Sequence, residues 1–382
     1  MKIAVDIRTL MDARYSGVSE YTRNLLGKIL ELDNSNEYRL FYTGSKRRKN
    51  LEREWTRPNA EVVWIRYPNK FLNYCLFKIF NYPKLDKRLG ADVYWQPHIN
   101  FAGLAEKGSA APMAKRILTI HDLSYLRYPE YFSARKNFWH GMVDVRKLAG
   151  KFDLAVAVSE STKRDVVELC GFDESRVKVI HSGLDEEIFN FKHETLKEVK
   201  NKYNLPGEFV LFLGTIEPRK NIKGLIKAFN LFKVKNSRSK IKLVIAGMKG
   251  WKTDDIYGEW EKSPFKNEII FLGYVDEKDK PYLYRLAALF TYPSFYEGFG
   301  HPPLEACASG TPVITSQTSS LSEVAGGAAI MIDPHNPADL AAAMGMILSD
   351  KNLCADLSRR GLEQAKKFSW HKTAEEFLKL LR

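Results

Sequence analysis

At 382 residues with 45% hydrophobic content, the chain exceeds the usual size of one core and predicts two well-buried domains, each of about 150–200 residues. No apolar run approaches the ~20 residues of a bilayer span, and MKIAVDIRTL reads as a first strand with an early acid rather than a signal peptide, so the expectation is a cytoplasmic protein. The net charge of +13 is uneven: residues 1–185 hold 31 Lys and Arg against 22 Asp and Glu (+9), the remainder 28 against 24 (+4), which marks the first half as the part that would attract a polyanion or an anionic membrane surface.

From Lys2 onward, short β-rich runs alternate with helical patterns: KIAVDI, the helical GVSEYTRNLLGKILEL, EYRLFYT, and then ADVYWQ, RILTIHD, DLAVAVS and VKVIHS. That alternation predicts a parallel sheet covered by helices. After a polar, Lys/Glu-rich segment at 191–206 a second series begins, with strands FVLFLG, KLVIAG, EIIFLG, ALFTYP, TPVITS and AAIMID, and helices such as NIKGLIKAFNLF and PADLAAAMGMIL. The simplest architecture is α/β, two Rossmann-like domains joined near 183–206. Parallel sheets of this kind bind ligands beyond the carboxyl ends of their strands, so two sheets facing a central cleft would place the chemistry just after strands. Cys75, Cys170, Cys307 and Cys354 lack CxxC spacing, which argues against a zinc site or a disulfide framework and leaves free thiols.

Two strand-to-helix turns hold the residues suited to chemistry. LFLGTIEPRKN ends a strand at Gly214, passes Thr215 and opens a helix near Asn221, with Arg219 and Lys220 between them. Two cations beside a helix N-terminus suit a diphosphate, the Arg as a planar fork of donors and the Lys as a point charge. A solvated loop with ordinary surface charge is the other reading of the same residues. In PSFYEGFGHPPLEACASGTPVI, Glu297 precedes Gly298, Phe299 and Gly300, and a short helix with Pro at its start carries Glu305 in its first turn. The glycines let backbone N–H groups approach a sugar or phosphate. Glu305 can accept a pair of vicinal ribose hydroxyls, and Glu297 can accept hydroxyls of a donor sugar or face its anomeric carbon. The alternative is a helix-capping Glu305 and a surface Glu297.

The E-x7-E spacing of Glu297 and Glu305, the EPRKN loop and the ASGTPVI run resemble glycosyltransferase family four, the retaining, metal-independent GT-B enzymes. The N-terminal SGVSEYT turn, ILTIHDLSY, VSESTKRD, VIHSGLD and the terminal FSWHKTAEEFLKLL extend the resemblance over nearly the whole chain. It implies an acceptor-binding domain at 1–185, a nucleotide-sugar domain at 186–365 and a C-terminal helix, 366–382, packed back on the first. By the same resemblance, Arg219 and Lys220 hold the donor diphosphate, Glu305 the ribose and Glu297 the transferred sugar. Gly17 and Val18 open the first helix where N–H groups touch donor phosphate or acceptor, and His121, beside Asp122, lies near the donor sugar. Many family members carry Arg directly after the strand-ending glycine, where this chain has Thr215; Arg219 is the cation that would replace it. Ser159 and Ser161 read as caps of the following helix.

No cofactor is implied beyond the nucleotide-sugar donor as substrate. GDP-mannose is the preferred donor, from likeness to mannosyltransferases; UDP-glucose, UDP-N-acetylglucosamine and dTDP-rhamnose are the alternatives. The acceptor implied is a glycan or lipid-linked glycan of surface polysaccharide synthesis. The resemblance also implies a front-face, oxocarbenium-like reaction in which the leaving diphosphate helps take the acceptor proton. The absence of a D-x-D triplet agrees with protein cations standing in for a metal. Neither first-strand turn reads GxGxxG, which disfavours a nicotinamide oxidoreductase. A nucleic-acid-binding protein would account for the charge but leaves the two glutamates unexplained, so no nucleic-acid partner is expected. The stretch 67–88 interleaves aromatics with Lys70, Lys78, Lys84, Lys87 and Arg88, and with SKRRK at 45–49 it resembles a surface for anionic lipid headgroups; a helix buried against the first sheet is the equal alternative.

Overall fold

The computed structural model describes residues 1–11, 17–66, 75–106, 113–185 and 191–381. The chain divides into two compact units: Met1–Leu123, Arg135–Gly183 and Trp370–Arg382 form the first, and Ser124–Ala134 with Leu184–Ser369 the second. An uninterrupted first domain at 1–185 is thus corrected, because Ser124–Ala134 leaves it. Two contacts fasten that excursion to the second unit: Trp251 Nε1 donates to the Tyr131 carbonyl at 2.7 Å, and Tyr131 stacks on Phe295 with centroids 5.4 Å apart. Residues 366–369 also stay with the second unit, and the returning segment begins at Trp370.

Among the described residues the first unit holds seven parallel strands, β1 (Lys2–Asp6), β2 (Glu37–Gly44), β3 (Ala60–Arg66), β4 (Val93–Gln96), β5 (Lys115–Ile120), β6 (Leu154–Ala157) and β7 (Val177–Val179), in the order β3-β2-β1-β4-β5-β6-β7. The second holds six, β8 (Phe209–Leu213), β9 (Lys242–Ala246), β10 (Ile269–Gly273), β11 (Leu289–Tyr292), β12 (Val313–Ser316) and β13 (Ala329–Ile332), in the order β10-β9-β8-β11-β12-β13. Both follow from strands buried on two faces: FVLFL of β8 is buried at every position, as expected where helices cover both sides of a parallel sheet. Edge strand β3 was not foreseen. Its sequence AEVVWIR is only partly buried and carries Glu61 and Arg66 on exposed positions.

Each sheet reverses its strand order once, between β1 and β4 in the first and between β8 and β11 in the second. Loops diverge at such a point and leave a crevice for a ligand. The helix Gly17–Leu32 covers the first sheet through Tyr21, Leu25 and Ile29, a stripe at helical spacing. The returning helix Trp370–Lys379 lies against it: Trp370 meets the Tyr21 ring at 5.6 Å, Phe377 meets Trp95 at 4.3 Å, and Lys115 Nζ donates to the Leu380 carbonyl at 2.6 Å.

Candidate active site

The two turns picked out in the sequence leave β8 and β11, the strands that flank the reversal of the second sheet. After β8 the chain makes a short 3-10 turn, Pro218–Lys220, and reaches Asn221 in the left-handed region at φ 55°. Asn tolerates that conformation and caps the helix Ile222–Lys235, its side chain accepting from Gly224 N at 3.2 Å and donating to the Pro334 carbonyl at 2.7 Å. After β11 the loop is tied to the first turn, since Phe295 N and Ser294 Oγ both donate to the Arg219 carbonyl, at 2.9 and 3.1 Å. Gly300, at φ 110°, then starts the helix His301–Ala308 at a place where a Cβ would meet Leu321 at 2.8 Å.

These ties bring Arg219, Lys220 and Glu297 together. Lys220 Nζ donates to Glu297 Oε1 at 2.6 Å and to the Tyr292 hydroxyl, and it lies 4.9 Å from the Tyr292 ring centroid. Arg219 Nη1 meets Glu297 Oε2 at 2.8 Å and the Tyr296 carbonyl at 2.5 Å, while its Nε and Nη2 reach Glu217 Oε1 at 3.2 and 2.9 Å. Ser294 Oγ completes the Glu297 carboxylate at 2.6 Å, and Ser319 Oγ accepts from Glu297 N at 2.9 Å. Glu217, Lys220 and Glu297 are all buried. Burial alone would raise the Glu297 pKa, but Arg219 and Lys220 overcome it and hold the carboxyl at about 2. Burial, followed by the Arg219 charge, pulls the Lys220 ammonium below the ordinary lysine value against the attraction of Glu297. The cluster therefore holds two cations and two acids in a desolvated crevice.

Thr215 is exposed, and Gly298, Phe299 and Gly300 are buried, with Ser320 Oγ donating to the Phe299 carbonyl at 2.7 Å. Glu305 sits in the second helical turn, not the first. The helix begins at His301 because Pro302 and Pro303 fit its first turn, where no backbone N–H is needed. Glu305 thus loses its place at the helix N-terminus and is held instead by the Tyr284 hydroxyl, which donates to Oε2 at 2.7 Å. His121, Gly17 and Val18 belong to the first unit. Gly17 and Val18 open the helix Gly17–Leu32, and Tyr21, one turn on, meets the His121 ring edge to face at 4.6 Å. His121 Nε2 donates to the Pro97 carbonyl at 2.8 Å, and the His121 carbonyl accepts from Thr162 Oγ1 at 3.3 Å. Ser159 caps the helix Glu160–Cys170 by accepting from Thr162 N at 3.0 Å; Ser161 is buried in its first turn. Reading the sequence missed Glu217, Tyr292 and Ser294, although Glu217 stands inside EPRKN and Ser294 inside the PSFYEGFG stretch, both already singled out.

Known proteins resemble both halves of the chain. The profile of "Glycosyltransferase Family 4" matches residues 15–188, and that of "Glycosyl transferases group 1" matches 194–364. The fold and these matches define a glycosyltransferase of the two-domain GT-B type. The O-antigen chain mannosyltransferase B of Escherichia coli is 33% identical over 264 residues, which cover 68% of this chain and 68% of that protein. The serotype-specific mannosyltransferase WbdA of the same organism is 33% identical over 275 residues, 70% of this chain and 34% of WbdA, so the chain spans about a third of that longer protein. The Anabaena protein Alr3699/HepE, solved in complex with UDP-glucose, shares the fold at a TM-score of 0.73 and 16% identity, over 100% of this chain and 99% of that one. The chain belongs to glycosyltransferase family 4.

Proposed function

We propose that the chain transfers mannose from GDP-mannose, with retention of configuration and without a metal, to a glycan or lipid-linked glycan of surface polysaccharide synthesis. The observation that carries this reading is the buried cluster at the β8–β11 reversal, where Lys220 sits against Glu297 in a crevice that parallel sheets reserve for ligands. As the sugar–phosphate bond breaks, negative charge grows on the departing diphosphate and positive charge on the anomeric carbon. Lys220 answers the first and the ionised Glu297 the second, and both act more strongly in a desolvated site than in water. Arg219, with donors on Glu217, Glu297 and the Tyr296 carbonyl, holds the carboxylate and the β11 loop in place and adds positive charge beside the diphosphate. Glu305, steadied by Tyr284, takes the ribose hydroxyls. Thr215 leaves no cation after Gly214, and Arg219 supplies it. The mannosyltransferase names of the two Escherichia coli relatives support the donor; UDP-glucose, bound by the Anabaena protein, is the competitor.

The same reading places the first unit on an anionic membrane that holds the acceptor lipid. Among the described residues no helix is long and apolar enough to cross a membrane. Residues 67–74 of the aromatic-basic stretch lie outside the described residues. Beyond them Phe77 and Leu85 are fully buried, while Ile79, Phe80 and Tyr82 are 59, 68 and 57% exposed, so the stretch is anchored in the first unit and shows an apolar edge at its surface. Lys78 reaches the Val143 carbonyl at 3.4 Å, at the end of the helix Ala134–Val143 that displays Phe138, 70% exposed. The run 45–49 is exposed as well.

The test is a panel of GDP-mannose, UDP-glucose, UDP-N-acetylglucosamine and dTDP-rhamnose, with nucleoside diphosphate release measured in the presence and absence of EDTA. Release from GDP-mannose, unaffected by chelator, is expected. Release from another donor alone would overturn the mannose assignment, and a loss with EDTA that Mg²⁺ or Mn²⁺ restores would overturn the metal-free mechanism.

A further inference from the structure

We infer that the second unit carries a glycan-binding subsite apart from the ion cluster, in a cavity of about 600 Å³ lined by Tyr131, Phe295, His335, Lys252 and Asp254. The inference rests on the reading of the chain as an enzyme that extends glycans. The volume lies within the roughly 300–1,000 Å³ of small-molecule sites.

The chemistry of the walls selects the ligand. Lys223, Lys227 and Lys252 are matched by Glu130, Asp254 and Asp255, so the lining carries no net charge to favour a phosphate or nucleotide. Part of that balance is already paired, Lys223 Nζ meeting Asp255 at 3.3 Å. Such walls offer donors and acceptors in equal measure, the requirement of a neutral polyhydroxylated molecule. The aromatic wall is built, not incidental: Tyr131 lies parallel to Phe295 at 5.4 Å and 11°, and His335 packs on Phe295 at 4.9 Å. Rings, together with Pro218, Pro334 and Pro337, give the apolar surface that the C–H faces of a sugar need. The floor is fixed by Asn221, buried and bonded to the Pro334 carbonyl. Lys252 Nζ donates to the Glu130 carbonyl at 2.8 Å and closes the rim.

The cavity and the ion cluster share their framework. Pro218 and Phe295 line the cavity, Lys220 and Glu297 form the cluster, and Phe295 N donates to the Arg219 carbonyl at 2.9 Å between them. A glycan bound there stays beside the transferase while the donor is exchanged, and longer products follow.

Binding of α-linked mannotriose, maltotriose and chitotriose to the full chain, followed by ligand-observed NMR and calorimetry with pyrophosphate as the anionic control, tests this. Saturable trisaccharide binding is expected. In the double variant His335→Ala/Asp254→Ala, both changes at exposed positions, it should weaken about tenfold, the scale of losing one or two good contacts. Acceptor-free hydrolysis of the donor should stay as in the wild type, and products should become shorter. Trisaccharide binding unchanged in the double variant, binding of none of the three, or a cavity that loses pyrophosphate instead of sugar would overturn the subsite. Binding of maltotriose or chitotriose alone, lost in the variant, supports the subsite while counting against mannose; absence of GDP-mannose turnover with mannotriose binding lost in the variant supports it while counting against the donor assignment.

Discussion

Lys220 and Glu297 are 77 positions apart and bonded at 2.6 Å, and their partnership explains why each is buried. An ammonium or carboxylate alone in that crevice would cost several kcal/mol, whereas the pair with Arg219 and Glu217 satisfies itself. If Lys220 is the cation that answers the departing diphosphate, as proposed, Lys220→Ala should lower kcat by about 10²-fold or more, with a smaller change in donor affinity. Steady-state kinetics with a saturating acceptor checks it; near-normal turnover would remove Lys220 from the reaction. Lys220 and Glu297 were legible because each stands in a motif with its own spacing. Tyr292 and Ser294 were not, since nothing in TYPS marks a hydroxyl that will close on a carboxylate; only the bend after β11 does so.

The turns matter more than the strands that carry them. Gly247, after β9, has φ 138°, and a Cβ there would lie 1.9 Å from the Gly214 carbonyl oxygen at the end of β8. Gly247→Ala should therefore push apart the two loops that begin the site, at a cost of about 2–4 kcal/mol in strain and overlap. Differential scanning fluorimetry should show a melting temperature lower by roughly 5–10 °C, and an unchanged value would refute the close approach. The alternation of apolar runs made twelve of the thirteen strands among the described residues readable. It failed at β3, an edge strand whose half-exposed residues blur the pattern, and it misjudged the start of the Glu305 helix, because two consecutive prolines signal a first turn only when the residue before them is known to join it.

For the molecule as a whole, the proposed membrane placement gives the basic first half a partner that can be tested. Each basic side chain near an anionic membrane is worth about 1 kcal/mol, so changing Lys46, Arg47, Arg48 and Lys49 to Gln should lower vesicle affinity by one to three orders of magnitude, roughly. The range is wide because Arg47 is already held by Glu52 at 3.0 Å. Phe80→Ser with Phe138→Ser should weaken binding further, and salt should do the same. Co-sedimentation with neutral and anionic liposomes decides the matter: equal binding to both, or no change in the variants, would leave the exposed aromatics without this role. The order of synthesis is another matter on which the architecture bears. Because Trp370–Arg382 belongs to the first unit, with Phe377 and Ala374 fully enclosed, while the second unit is built from Ser124–Ala134 and Leu184–Ser369, a ribosome releases every part of the second unit before it releases this segment of the first. The amino-terminal half is thus the one that gains this part of its core last, and until then Tyr21 on its first helix and Trp95 on β4 wait uncovered by their later neighbours, an interval in which a chaperone would find its substrate.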